Sequence, residues 1–255
     1  MSDDMFSLRD RTAVVTGASR GIGEAIAREY ARRGATVVIA SRKQEALDAV
    51  AASINAGGPG KAIPIACHTG RADDIARLFE RVRAELGRLD VLVNNAAANP
   101  YFGPAVDCSE AALDKTFAVN VKGYFLMSQH AARVMVAQRS GSIINVASIA
   151  GIAPHPMQVV YSMTKAAVIS MTRGLAKELG GSGVRVNAIA PGVVETKFAG
   201  ALIDNPEIHR MIVQLTPLGR HGQPDEIVGA AVYLASEASS FTTGSVLVCD
   251  GGFTA

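Results

Sequence analysis

The chain has 255 residues, 49% of them apolar and 19% charged, with a net charge of +2. That length suits one α/β domain and buries about three quarters of its unfolded surface without staples. The near-neutral balance gives no electrostatic reason to expect nucleic acid or an anionic membrane as partner.

The opening "MSDDMFSLRD" is acidic and lacks the basic and apolar regions of a signal peptide, and the chain has no apolar run of the roughly 18 residues needed to span a bilayer. Short β-branched runs then alternate with helical stretches. "TAVVT" (12–16) predicts a strand, and the helical "GEAIAREYARRG" after it closes at Gly34. "TVVIA" (36–40) precedes helical "KQEALDAVAASIN" and the breaker "AGGPG", and "AIPIA" (62–66) precedes a helix through "DDIARLFERVRAEL". "LDVLVN" (89–94) leads into one long helix from about Ser109 to Gln138, with Ser109 as N-cap and Glu110 in the first turn. "GSIINVAS" (141–148), a helix through "VVYSMTKAAVISMTRGLAKEL", "VRVNAIA" (184–190), a helix near 224–235 and "SVLVCD" (245–250) complete seven strands. Such alternation implies a doubly wound parallel sheet covered on both faces, in a single domain spanning 1–255.

In open α/β sheets, ligands bind beyond the carboxyl ends of the strands, and the unusual residues recur there. "TGASRGIG" after the first strand places Gly17, Gly21 and Gly23 in a turn where main-chain N–H groups approach a pyrophosphate at a helix N-terminus. Its spacing is GxxxGxG, neither GxGxxG nor a P-loop. "NNAA" (94–97) follows the fourth strand, Ser148 the fifth, and "PGVVET" (191–196) the sixth, with Pro191 and Gly192 turning the chain and Thr196 offering a hydroxyl. Tyr161 and Lys165 in "YSMTK" lie four apart, on one face of a helix. Each feature alone has a structural explanation; an asparagine pair can simply tie loops together. The five histidines show no ligand spacing, so no metal is expected. Cys67, Cys108 and Cys249 form no CxxC pair and are read as reduced thiols.

Taken together, "TGASRGIG", "NNAA", Asn120 in "AVNVKG", Ser148, "YSMTK" and "PGVVET" resemble the short-chain dehydrogenase/reductase family over the whole length, in its order and spacing. The resemblance implies the Rossmann order 3-2-1-4-5-6-7, a homotetramer, and a catalytic tetrad Asn120, Ser148, Tyr161 and Lys165. It places Gly17, Ser19, Arg20, Gly21, Ile22, Gly23, Ser41, Arg42, His68, Thr69, Asn94, Ala96, Tyr161, Lys165, Pro191, Gly192, Val194 and Thr196 around a nicotinamide cofactor. An ordinary tyrosine has a pKa of about 10, so the Lys165 ammonium and an oxidised nicotinamide are expected to lower it. Ser148 donates to the developing oxyanion, Lys165 also orients the ribose, and Asn120 holds a water linking Lys165 to a proton relay.

The segment "VVIASRKQE" has no carboxylate before Glu45 at the end of the second strand, while Ser41 and Arg42, with Arg20, suit a 2′-phosphate. NADP(H) is therefore expected. His68 in "CHTG" replaces the family's frequent aspartate, where it contacts the adenine or caps the strand; Ala97 replaces a glycine, and the loop 98–104 is long and aromatic. These features are most similar to the branch of NADP-dependent carbonyl reductases and retinol dehydrogenases of peroxisomes. The ending "GFTA" is not a peroxisomal signal, so a cytoplasmic location is expected. The function that follows is reversible reduction of a ketone or aldehyde to an alcohol. A 3-oxoacyl-acyl-carrier-protein reductase is the alternative, wanting a basic rim from Lys122, Arg133 and Arg139; a non-catalytic nucleotide sensor is the alternative of another class. The segment 194–218, with Phe198, Leu202, Met211 and Ile212, reads as an apolar lid, and Tyr101, Phe102, His155 and Met157 as pocket walls.

Overall fold

In the computed structural model, residues 5–255 are described. Seven parallel strands stand in the order β3-β2-β1-β4-β5-β6-β7: β1 Thr12–Thr16, β2 Thr36–Ser41, β3 Lys61–Ala66, β4 Val91–Asn94, β5 Gly141–Val146, β6 Val184–Pro191 and β7 Val246–Cys249. The expected order and strand count hold, with strand ends shifted by a few residues. The expected start of β4 at 89 moves to Val91, and Leu89 instead pairs its N–H and carbonyl with the Gln138 side chain.

The central strands are buried on both sides, as a helix-covered parallel sheet requires, while the edge strands β3 and β7 are partly exposed. Their period of two sorts neighbouring residues into separate cores. Ala13, Val15, Val37, Ile39, Val91 and Val93 pack beneath α1 (Gly21–Arg32), α2 (Gln44–Asn55) and α9 (Asp225–Ala235). Val14, Val38, Leu92, Ile143 and Val186 face α3 (Ala72–Leu86), α5 (Tyr124–Gln138) and α6 (Val159–Leu179). The helices present matching stripes, such as Ile75, Leu78, Phe79 and Val82 on α3. Gly87, left-handed at φ 68°, ends that helix.

One expectation is corrected. The single helix from Ser109 to Gln138 is two, α4 (Glu110–Phe117) and α5, joined by a π turn over Ala118–Gly123. Ser109 is the N-cap, its hydroxyl accepting the Ala112 N–H at 3.3 Å. The widened turn lets the chain pass the loop after β3: a Cβ at Gly123 would overlap the Thr69 carbonyl oxygen. Beyond β6, α7 (Gly200–Ile203) and α8 (Pro206–Leu215) form a separate layer over the carboxyl end of the sheet.

Candidate active site

The glycine turn after β1 is shaped by what surrounds it. Gly17 and Gly21 have φ of 66° and 59°, where a side chain is strained. A Cβ on Gly17 would lie 2.8 Å from the Asn95 amide nitrogen, and one on Gly23 would lie 2.6 Å from the Gly17 carbonyl oxygen. Asn95 Nδ2 donates to the Thr16 carbonyl at 2.9 Å, while the Asn95 and Ala96 N–H groups both reach Thr16 Oγ1. No side chain caps α1, so its N-terminus is left for another acceptor. Thr196 faces it across the turn, its Cγ2 3.1 Å from where a Gly21 Cβ would stand. Ala18 N–H bonds the Ala40 carbonyl, which brings the turn beside the end of β2. There Ser41 is half-buried and Arg42 exposed, as is Arg20 in the turn. An open helix N-terminus, a cradle that any Cβ would fill, and guanidinium groups where β2 ends together fit a dinucleotide carrying an extra phosphate.

Other residues assigned from sequence take specific places. Pro191 ends β6 in register with Cys249 of β7, and a Cβ on Gly192 would press on Asp250 at 2.8 Å. Val194 forms a parallel bridge with Gly222. His68 accepts the Gly70 N–H on Nδ1 at 3.0 Å, while its own main-chain N–H donates to Asp74. Asn94 is buried: its amide donates to Ser128 Oγ at 3.0 Å and to Asn145 Oδ1 at 2.9 Å, and Asn145 in turn donates to Thr172 Oγ1 at 2.9 Å. The Asn94 side chain thus ties β4 to β5 and α5, while its neighbour Asn95, not singled out for the cofactor from sequence, buttresses the glycine turn.

Asn120 sits in the π turn, fully buried. Its Nδ2 donates to the Ala98 carbonyl at 2.9 Å and to Thr164 Oγ1 at 3.1 Å, and its Oδ1 accepts the Ala98 N–H at 2.8 Å. This side chain therefore clamps the loop after β4 to α6. Ser148 follows β5 and accepts the Ala150 N–H at 3.1 Å.

Tyr161 and Lys165 share one face of α6, with the Lys165 nitrogen 5.6 Å from the Tyr161 ring centre. Lys165 donates to the Val146 carbonyl at 2.7 Å and lies 3.4 Å from the Tyr124 hydroxyl, which itself donates to Val146 at 3.1 Å. Tyr124 was invisible to motif reading, being one apolar-face residue in a long helical run. Burial lowers the Lys165 pKa to about 7. It raises that of Tyr161 to about 12, with Ser148 pulling the other way. Desolvation is the larger influence on Tyr161 here, and the lowering expected from Lys165 together with an oxidised nicotinamide belongs to the cofactor-bound state.

Over the site, the Phe198 ring lies 5.7 Å from that of Tyr161. Phe198 and Met211 are about half exposed, whereas Ile212 is buried. Loop 98–104 reaches the other side: Gly103 N–H donates to the Met157 carbonyl at 2.9 Å, and Met157 has a left-handed φ of 68°. His155 packs edge-on against Phe253 with ring centres 5.2 Å apart.

The sheet order, the open glycine turn and a Ser–Tyr–Lys group with its tyrosine and lysine buried define a dinucleotide-dependent oxidoreductase. Comparison with known proteins agrees. The family described as enoyl-(acyl carrier protein) reductase matches residues 17–254. Dehydrogenase/reductase SDR family member 4 of Oryctolagus cuniculus is 39% identical over 96% of this chain and 94% of its own. The 3-oxoacyl-acyl-carrier-protein reductase FabG of Thermotoga maritima is 40% identical over 96% of this chain and 98% of its own. A gluconate 5-dehydrogenase of Burkholderia cenocepacia, solved with NADP and tartrate, superposes with a TM-score of 0.94 at 34% identity, covering 98% of both chains. The chain belongs to the short-chain dehydrogenase/reductase family, whose members are oxidoreductases acting on CH–OH and C=O groups. Among the described residues, no helix is long and apolar enough to cross a membrane.

Proposed function

We propose that the protein is an NADP(H)-dependent reductase of a ketone or aldehyde, working reversibly as an alcohol dehydrogenase through one Rossmann domain. The observation that carries this reading is the placement of the buried Tyr161 hydroxyl on the same face of α6 as Lys165, whose nitrogen lies 5.6 Å from the tyrosine ring centre, with Ser148 just past the end of β5. A phenol so placed can deliver its proton to an oxygen turning anionic. Ser148 holds that oxygen, and Asn120 fixes the loop after β4 against α6. Lys165, anchored on Val146, stands where it stabilises the phenolate left after proton transfer and meets a nicotinamide ribose. The nicotinamide, when bound, supplies the hydride. Gly17, Ser19, Gly21, Ile22 and Gly23 form the pyrophosphate cradle, with Thr196 opposite, while Arg20, Ser41 and Arg42 supply the 2′-phosphate contacts. The NADP in the Burkholderia relative supports that choice.

Phe198, packed against the Tyr161 ring, and Phe102 and Met157 of the facing loops are exposed apolar side chains, which favours an apolar carbonyl substrate. A panel of diketones, quinones, retinal and acetoacetyl thioesters, followed by NADPH consumption, tests the reading; no turnover of any carbonyl compound contradicts it. The Thermotoga relative favours 3-oxoacyl-thioester reduction as a second reading. The basic rim expected for it is incomplete, because Arg139 caps the C-terminus of α5 immediately before β5, at the amino ends of the strands.

A further inference from the structure

A chain of side chains outside the cofactor cradle joins the lid to its hinge. His209, on α8, places Nε2 3.0 Å from Nδ1 of His221, twelve residues further on. His221 Nε2 lies 3.0 Å from Glu195 Oε2, the same oxygen that accepts the Gln223 side-chain N–H at 2.7 Å. Glu195 stands between Val194 and Thr196, where the chain leaves β6, and its N–H donates to the Gly222 carbonyl at 2.9 Å. One end of this chain thus sits on the covering helix α8 and the other beside the residue that faces the glycine turn. No group of three or more His, Cys, Asp and Glu among the described residues is arranged to hold a metal, so the contact between the imidazoles is read as a hydrogen bond.

Its proton positions follow from chemistry. An ionised carboxylate only accepts, so His221 carries its proton on Nε2 and donates it to Glu195. Neutral His221 then has a lone pair on Nδ1, and His209 must donate to it from Nε2. One added proton is tolerated: on His209 Nδ1 it leaves the Nε2–H···Nδ1 bond in place and strengthens it. A second proton has only His221 Nδ1 to occupy, and the bond becomes a contact between two N–H groups on two cations.

We propose that His209, His221 and Glu195 form a proton-controlled latch that positions the lid 200–215 over the site, held at neutral pH and released when both imidazoles are charged. This rests on reading 194–218 as the lid of a reductase. Charged groups surround the latch. Gln223 and His221 hold the Glu195 carboxyl below the usual range. The Arg220 guanidinium donates to the His221 carbonyl at 3.1 Å but is paired with Glu226. Glu207 and Arg210, of opposite sign, flank His209 on α8, and Lys197 follows the hinge; all three are exposed. With two histidines sharing one contact, release requires both imidazoles to be charged.

Hydrogen–deuterium exchange of segment 200–215, corrected for intrinsic rates, tests the latch without any substrate. Protection is expected at pH of about 7.5 and a loss of roughly tenfold by pH of about 5. His209→Ala is expected to lose that protection at both values. His209→Gln, whose amide donates to His221 Nδ1 without titrating, is expected to retain more protection at the lower pH than the unmodified protein. Equal protection at both pH values in the unmodified protein, or unchanged protection in His209→Ala at neutral pH, overturns the proposal. Turnover of a diketone with NADPH gives the functional arm: KM should rise on acidification in the unmodified protein and less so in His209→Gln. A protein that reduces no carbonyl compound yet shows the exchange pattern keeps the latch and loses the reductase reading.

Discussion

The Lys165 ammonium nitrogen is held 2.7 Å from the Val146 carbonyl oxygen, at the end of the strand that leads to Ser148. This bond anchors the cation at the base of the cleft instead of against the Tyr161 hydroxyl. It also keeps the lysine almost wholly buried, and that burial has a measurable consequence for stability.

With its pKa lowered to about 7 in the folded protein, Lys165 releases a proton that an unfolded lysine keeps until about 10.4. Between those values the unfolded chain binds more protons, so stability rises with pH. We expect the stability of the protein relative to Lys165→Met to increase by up to a few kcal/mol from about pH 7 to about pH 10, with little change below 7. Denaturant unfolding of both proteins across that range checks it; parallel pH curves would remove the buried-cation account.

Tyr161→Phe removes only the ionisable hydroxyl of a ring that is already buried. Turnover is expected to fall by roughly three orders of magnitude or more, while NADPH affinity and the melting temperature stay close to those of the parent. Retention of most activity in this variant takes the proton-donor role away from Tyr161.

Arg42 is exposed where β2 ends, beside Ser41 and with no carboxylate before Glu45. NADPH should be preferred to NADH by at least roughly tenfold, about 1.4 kcal/mol. Arg42→Ala should erase most of that preference and spare NADH use. Equal kcat/KM for the two cofactors in the unmodified enzyme refutes the assignment.

A homotetramer is the expected assembly. Phe125 on α5 and Val159 and Met163 on α6 are 45%, 42% and 48% exposed, and Phe117, Val121, Phe125 and Met171 line an apolar groove between these helices. Leu247 and Val248 on the edge strand β7 and the fully exposed Phe241 give a second apolar surface. Light scattering should report four subunits and Phe125→Glu should lower that number; a monomer at micromolar concentration in the unmodified protein contradicts the assembly.

Strand positions and the glycine turn were legible because both are written locally, whereas the strand order came from the family resemblance. β-branched runs with both faces buried need no partner to be recognised, and glycines between a strand and a helix mark close main-chain approach. The π turn at Asn120 was not legible, since "AVNVKG" continues a helical pattern and only the crowding of Gly123 against Thr69 demands the wider turn. Nor was the depth at which the pair sits: the spacing of Tyr161 to Lys165 indicates proximity but not that both are buried, Lys165 against Val146 and Tyr124. The His209–His221 contact joins residues with no common periodicity, brought together by the Val194–Gly222 bridge.

The amide pair Asn94 and Asn145, with Ser128 and Thr172 at its ends, threads β4, β5, α5 and α6 together through the interior. The amide donors in that thread find their acceptors within it, and the two asparagines are register neighbours on β4 and β5. Sliding β4 by a single residue would turn an amide into hydrocarbon and orphan its mate, at a cost of about 1–3 kcal/mol for each stranded group. Aliphatic side chains alone would pack nearly as well in several alignments. The thread therefore discriminates against shifted registers of β4 on β5, and so fixes how far the turn beyond Asn94 and the loop carrying Ser148 extend past the sheet.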